Sequence, residues 1–139
     1  PTFIIHAIKD VEGANLDRIQ VVKGWLDENG APQEKIFDVV WSGNRTLSAN
    51  GKLPAVGNTV DAKTATYTNT IGEVTLQTTW KDPEFDAAKA AFYYIRVLEI
   101  PTPRWTTYDA VKLGVDIPVG SPVSLQERAW SSPIWYEPK

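Results

Sequence analysis

The sequence predicts an all-β domain: an immunoglobulin-like antiparallel β-sandwich of six to seven strands, with one short helix and long loops. Three observations predict it. Aromatic and β-branched residues gather in short runs, turn residues separate the runs, and strands do not alternate regularly with helices. A partly open barrel fits the same pattern and is the alternative. Apolar residues make up 42% of the 139 residues and charged residues 22%, which excludes collagen-like, coiled-coil and disordered classes. One domain over residues 1–139 fits this length, and folding can hide about 70% of the surface an unfolded chain exposes.

The first run, residues 2–8, is apolar and strand-like and carries His6, for which the plain expectation is a satisfied, partly buried imidazole. Residues 18–26 follow, with Ile19, Val21 and Trp25 on one face at period two. Asn29-Gly30 then supplies the positive φ of a hairpin loop, and residues 35–41 return with Phe37, Val39 and Trp41 on one face. Residues 43–63 are punctuated by glycine, asparagine and proline and read as a long surface loop. Strands are expected again at 64–70, around Tyr67, and at 74–80, where Val74, Leu76, Thr78 and Trp80 alternate with polar residues. Asp82 and Asp86 flank a turn, and Asp86 is placed to cap one helical turn over 87–91.

Residues 92–100 form the clearest strand, apolar on both faces, which Pro101 and Pro103 are expected to end. A short helix over 106–114 closes on Gly114. After a loop at 117–122, residues 128–136 read as a final strand at a sheet edge or with a bulge, because Pro133 removes a ladder donor. The expected core comprises Ile19, Val21, Trp25, Phe37, Val39, Trp41, Leu76, Tyr93, Ile95, Val97 and Ile134. Trp80, Trp130 and Trp135 also fall on expected strands, where core filling is the plainer use of them.

Several function classes fall away on composition. Fourteen Lys and Arg against 17 Asp and Glu give a net charge of −3 with no basic block, so a nucleic-acid-binding face is not expected. No apolar run is long enough to span a membrane. There is no Cys and only one His, so thiolate chemistry and multi-histidine metal sites are excluded and no cofactor is implied. No catalytic residue is assigned: the serines lack a partner imidazole at a recognisable spacing, and no phosphate-binding or dinucleotide glycine pattern is present. Asp27, Glu28 and Asn29 match no calcium loop and read as a solvated turn. The absence of Met and the immediate start of a strand after Pro1 predict a piece of a longer protein.

Four phrases carry a resemblance. They are Gly13-Ala14-Asn15-Leu16-Asp17-Arg18 continuing to Trp25, and Phe37-Asp38-Val39-Val40-Trp41-Ser42-Gly43. The third is Phe92-Tyr93-Tyr94-Ile95-Arg96 continuing to Pro101-Thr102-Pro103-Arg104-Trp105-Thr106, and the fourth Gln126-Glu127-Arg128-Ala129-Trp130 continuing to Tyr136. Together and in this order they resemble the C-terminal portion of the bacterial proteins grouped as domain of unknown function 3604. The resemblance implies large, usually exported parents whose earlier region is similar to metal-dependent hydrolases of the polymerase-and-histidinol-phosphatase type. It therefore implies a periplasmic or secreted location, with the metal ligands upstream of this chain. The parent would be the hydrolase and this piece a non-catalytic accessory domain, whose partner is the catalytic domain of the same chain.

Residues 101–126 are the candidate site. A short loop would join the neighbouring strands that flank them, yet the chain inserts prolines and a helix there. Arg104, Trp105 and Tyr108 are residue types enriched at binding surfaces, and Asp109 could hold Arg104 or a partner cation. The expectation is an excursion facing a catalytic domain; a decorative loop over the end of the sandwich is the plainer alternative. From a different class, six Trp and five Tyr fit a free-standing carbohydrate- or ligand-binding module, with the small-molecule ligand left open.

Overall fold

The computed structural model describes residues 1–138. The chain runs through β1 (Thr2–Ile8), β2 (Leu16–Leu26), β3 (Pro32–Trp41), β4 (Thr75–Lys81), β5 (Ala91–Pro103), α1 (Trp105–Leu113), β6 (Ser124–Trp130) and β7 (Ile134–Tyr136). The strands form two antiparallel sheets: β1 with β4, and a five-stranded sheet in the order β3-β2-β5-β6 with β7 also on β5. The all-β sandwich expected from the run pattern is the architecture found.

The β2–β3 hairpin forms where expected. Asp27 Oδ1 accepts the backbone N–H of Asn29 and Ala31, both at 2.9 Å, and Gly30 takes φ 76°. Between the sheets Ile5, Leu16, Ile19, Val21, Leu76, Ala91 and Tyr93 form the buried core, with Phe3, Trp25, Val39, Val40 and Trp80 packed on it. Burying a side chain such as Ile19 completely stabilises the fold by roughly 1.5–3 kcal/mol.

Several expectations need correction. A bulge breaks the β2–β3 register: Gln20 faces Asp38 but Ile19 faces Val40, so β3 carries an extra residue. Beyond it the alternation reverses, Trp41 falls opposite Arg18 on the outer face, and its indole N–H donates to the Arg45 carbonyl at 2.7 Å. Residues 64–70 form no strand, only an isolated bridge between Asp61 and Thr66, because threonine and asparagine side chains there bond locally or to neighbouring backbone. Residues 87–91 make a turn, with Asp86 Oδ1 accepting the Ala88 N–H, before Ala91 enters β5. Pro101 does not end β5, which runs on to Pro103. Both prolines lie beyond Glu99, the last residue opposite β2, so no strand on that side requires their missing N–H.

The expected final strand is two. Ser131 exchanges bonds with Ile95, its N–H donating to the carbonyl and its Oγ accepting the N–H, both at 3.0 Å, and the chain breaks at Pro133 before β7. Ile134, expected in the core, is 58% exposed, and Trp130 and Trp135 are exposed as well. Sheet width explains the first of these. β4 packs over β3 and β2, and β1 sets Phe3 against Tyr93 with ring centroids 5.1 Å apart. Two strands reach no further. Among the described residues nothing covers the inner faces of β6 and β7, so Ile95 and Val97 stay half-buried. Trp130 and Trp135 instead lie opposite Arg96 and Phe92, on the outer face.

Candidate functional site

The excursion expected at 101–126 occupies residues 104–123, between the ends of β5 and β6. Two bonds to one carbonyl anchor it: the Arg104 N–H and Thr107 Oγ both donate to Val123, at 2.9 and 2.7 Å. Thr106, Thr107 and Ala110 are the buried residues of α1, and Gly114 ends the helix with φ 66°, as its sequence position predicts. Trp105 is the first helical residue rather than a loop residue. It is 63% exposed and Tyr108 is 44% exposed, with Asp109 exposed beside them.

The four candidates therefore share one short segment, but they do not interact as expected. The Arg104 guanidinium lies 5.3 Å from the Trp105 ring centroid and donates to Thr106 Oγ1 at 3.3 Å; it makes no ion pair with Asp109. A cation held over an exposed indole presents a flat surface, apolar at its centre and charged at its rim. Further along, Val111, Leu113, Val115, Val119 and Val123 are also exposed.

Sequence reasoning missed three constellations. Buried Asp82 receives Lys23 Nζ at 2.6 Å and the Tyr93 hydroxyl at 2.7 Å on the same oxygen, and the Glu84 N–H at 2.9 Å on the other. Burial pushes the Asp82 carboxyl up, but hydrogen bonds from Lys23, Tyr93 and Glu84 outweigh it and hold the group below the ordinary value. Burial and the neighbouring carboxylate push the Tyr93 phenol far up. With Lys23 also donating to the Glu84 carbonyl at 2.8 Å, the group works as a closed staple between β2 and the β4–β5 turn.

Asp17, fully buried, is a second staple. It accepts from Arg45 at 2.6 Å and Gln126 at 2.8 Å, and so ties the long loop and β6 to β2. The third feature is Gly24, where a methyl group would overlap the Phe92 ring, which therefore lies across β2 beside Trp135, 5.1 Å between centroids. A lone glycine inside a strand signals such an approach. The two staples join residues far apart in sequence and leave no local signal.

His6 is exposed on β1 rather than partly buried, because it alternates with Ile5, which faces the core. Among the described residues no cluster of three or more histidine or carboxylate side chains converges, and no helix is long and apolar enough to cross a membrane. The Asp82 and Asp17 constellations tie elements of the fold to one another.

Residues 1–138 match the family described as "Protein of unknown function (DUF3604)". The chain belongs to this family. No curated protein and no solved structure matches it. The match extends through every strand of this DUF3604 domain, including the segment that carries Arg104, Trp105 and Tyr108.

Proposed function

We propose that this DUF3604 domain is a non-catalytic accessory β-sandwich that packs on, and helps shape, the catalytic domain of a larger metal-dependent hydrolase outside the cytoplasm. One observation carries the reading: an excursion anchored by two hydrogen bonds to the Val123 carbonyl exposes Trp105, Tyr108, Val111, Leu113, Val115 and Val119 on one segment. Solitary exposed apolar side chains are ordinary, whereas a concentration of them on one ordered segment marks an interaction surface. Arg104 and Trp105 form its aromatic and charged anchor, of the kind that dominates binding energy at interfaces. The hydrolase identity of the partner comes from the resemblance alone.

Amide exchange over residues 104–123 tests this, compared between the present chain and its longer parent. The expected outcome is stronger protection in the parent, reversed by joint substitution of Arg104→Ala and Trp105→Ala, which also lowers parental turnover at least about tenfold (about 1.4 kcal/mol). Equal exchange in both contexts would sink the reading.

A further inference from the structure

The open flank of the sandwich has a definite shape. Beyond β1, Phe3, Ile5, Ile95, Val97, Ala129 and Ile134 line a groove of about 360 Å³ between the two sheets. Phe3 and Ile5 face the core from β1, whereas Ile95, Val97, Ala129 and Ile134 are inner-face positions of the large sheet that β1 does not fully cover. The groove runs beside the edge of β1 that faces away from β4. Among the described residues no backbone bond from residues 2–8 reaches a strand other than β4, so that edge is unpaired.

Strand edges differ in how they are guarded. A free edge templates pairing with another chain unless charges, prolines or breaks blunt it. On the large sheet, β3 carries Pro32, Glu34, Lys35 and Asp38, and the β6–β7 edge carries Glu127 and Arg128 and breaks at Pro133. In the small sheet, β4 carries three threonines and Gln77 among its seven residues and ends in Lys81. β1 reads Thr-Phe-Ile-Ile-His-Ala-Ile, with no charge, proline or bulge over seven residues. Among the described residues it is the one strand edge left unguarded, and it borders the groove floored by Ile95 and Val97.

We propose that the small sheet is completed by a third strand, an extended segment with apolar residues at alternate positions that pairs with the free edge of β1. Its apolar face would seat on Ile95, Val97, Ala129 and Ile134. Backbone pairing supplies the affinity and the alternate side chains the specificity, the mode known as strand addition. The assigned source is the polypeptide on which this domain packs, and that assignment rests on the function proposed above. A small molecule satisfies the requirement poorly, since the groove runs beside a row of backbone donors and acceptors seven residues long.

A tethered strand tests the proposal. A seven-residue segment alternating threonine and valine is joined to Pro1 through a flexible glycine-serine linker, which raises its local concentration to about millimolar. A control segment has the same composition in an order that breaks the alternation. The expected result is a Tm about 5 °C or more above the control, with slowed exchange at the β1 amides that face away from β4. Ala129→Lys, at an exposed position in the groove, should abolish the rise. Arg104→Ala with Trp105→Ala should leave it intact, which separates this inference from the role proposed for the excursion. Equal Tm for the alternating and control segments overturns the proposal. So does a concentration-dependent dimer of the untethered chain that protects the same amides, because the edge would then belong to a second copy.

Discussion

The two flanks of the sandwich share β2 and β5 but solve the covering problem differently. On the flank of β3 and β4, both layers are present, Ile19 and Val21 are fully buried, and Lys23 and Asp82 are shut inside with Tyr93. On the flank of β6 and β7, the second layer stops at β1, and residues of the same type stand half in water. The difference teaches that side-chain type does not by itself decide burial. A strand can be patterned for a core that this chain only partly builds. The closed flank should carry most of the fold's stability, and the open flank should carry its capacity to associate.

The largest expected effect breaks the closed flank. Asp82→Ala leaves the Lys23 ammonium buried without its partner and should cost about 3–5 kcal/mol in urea unfolding. Replacing both groups with apolar residues, Lys23→Met with Asp82→Leu, should recover most of that loss. A loss under about 1 kcal/mol for Asp82→Ala would mean that water reaches the pair.

Matched truncations sharpen the comparison. Ile19→Ala, in the closed core, should cost about 2–5 kcal/mol, whereas Ile95→Ala on the groove floor should cost less than half as much. Equal costs by chemical denaturation would show that the two flanks are equally closed.

Acid titration separates the flanks by sign. Asp82 sits below its ordinary value of 3.8, so its contribution is present above about pH 4 and is lost as pH falls through the lower folded value. Glu99, on the inner face of β5, is displaced the other way: burial pushes its carboxyl above 4.5, and Glu127 adds to the rise. Its contribution is complete below the unfolded value and is lost as pH rises through the raised folded one. Unfolding curves collected from pH 3 to 7 should therefore flatten at the acid end for Asp82→Asn. For Glu99→Gln they should gain stability toward neutrality.

The smallest effect on stability concerns the free edge. Ile4→Lys, at an 89% exposed position on β1, should change unfolding free energy by no more than about 0.5 kcal/mol. It should nonetheless abolish the Tm rise that the tethered alternating segment gives, because a charge on the strand guards its edge.

Local chemistry made part of this legible. The Asn29-Gly30 turn, the aromatic run that became β5 and the Gly114 helix stop are each set by near neighbours, and each appears where its residues require it. Gly24 was legible in principle, as a gap in a strand waiting for a ring. Pairings between distant residues were not. Lys23 meets Asp82, and Asp17 meets Arg45 and Gln126, only because the sheets bring them together. The pattern around Ile134 is that of a buried strand, but pattern carries no information on how many strands the opposite sheet has, and Trp130 and Trp135 fall on the outer face, opposite Arg96 and Phe92. The candidate segment was visible as a loop too long for its task. The stacking of Arg104 on Trp105, in place of a pair with Asp109, depended on the helix beginning one residue earlier than expected.

The placement of the tryptophans has an optical consequence. Trp25 and Trp80 pack on the core, whereas Trp105, Trp130 and Trp135 already face water in the native state. Native emission is thus a blend of a shielded and a quenchable population, and acrylamide should silence only the second. Each accessible indole reports on a different place: Trp105 on the excursion, Trp130 on the mouth of the groove, and Trp135 on the ring that covers Gly24. Variants keeping one of these three indoles turn the domain into its own set of dyes, and the dye that dims less in the parent marks the surface that has been covered.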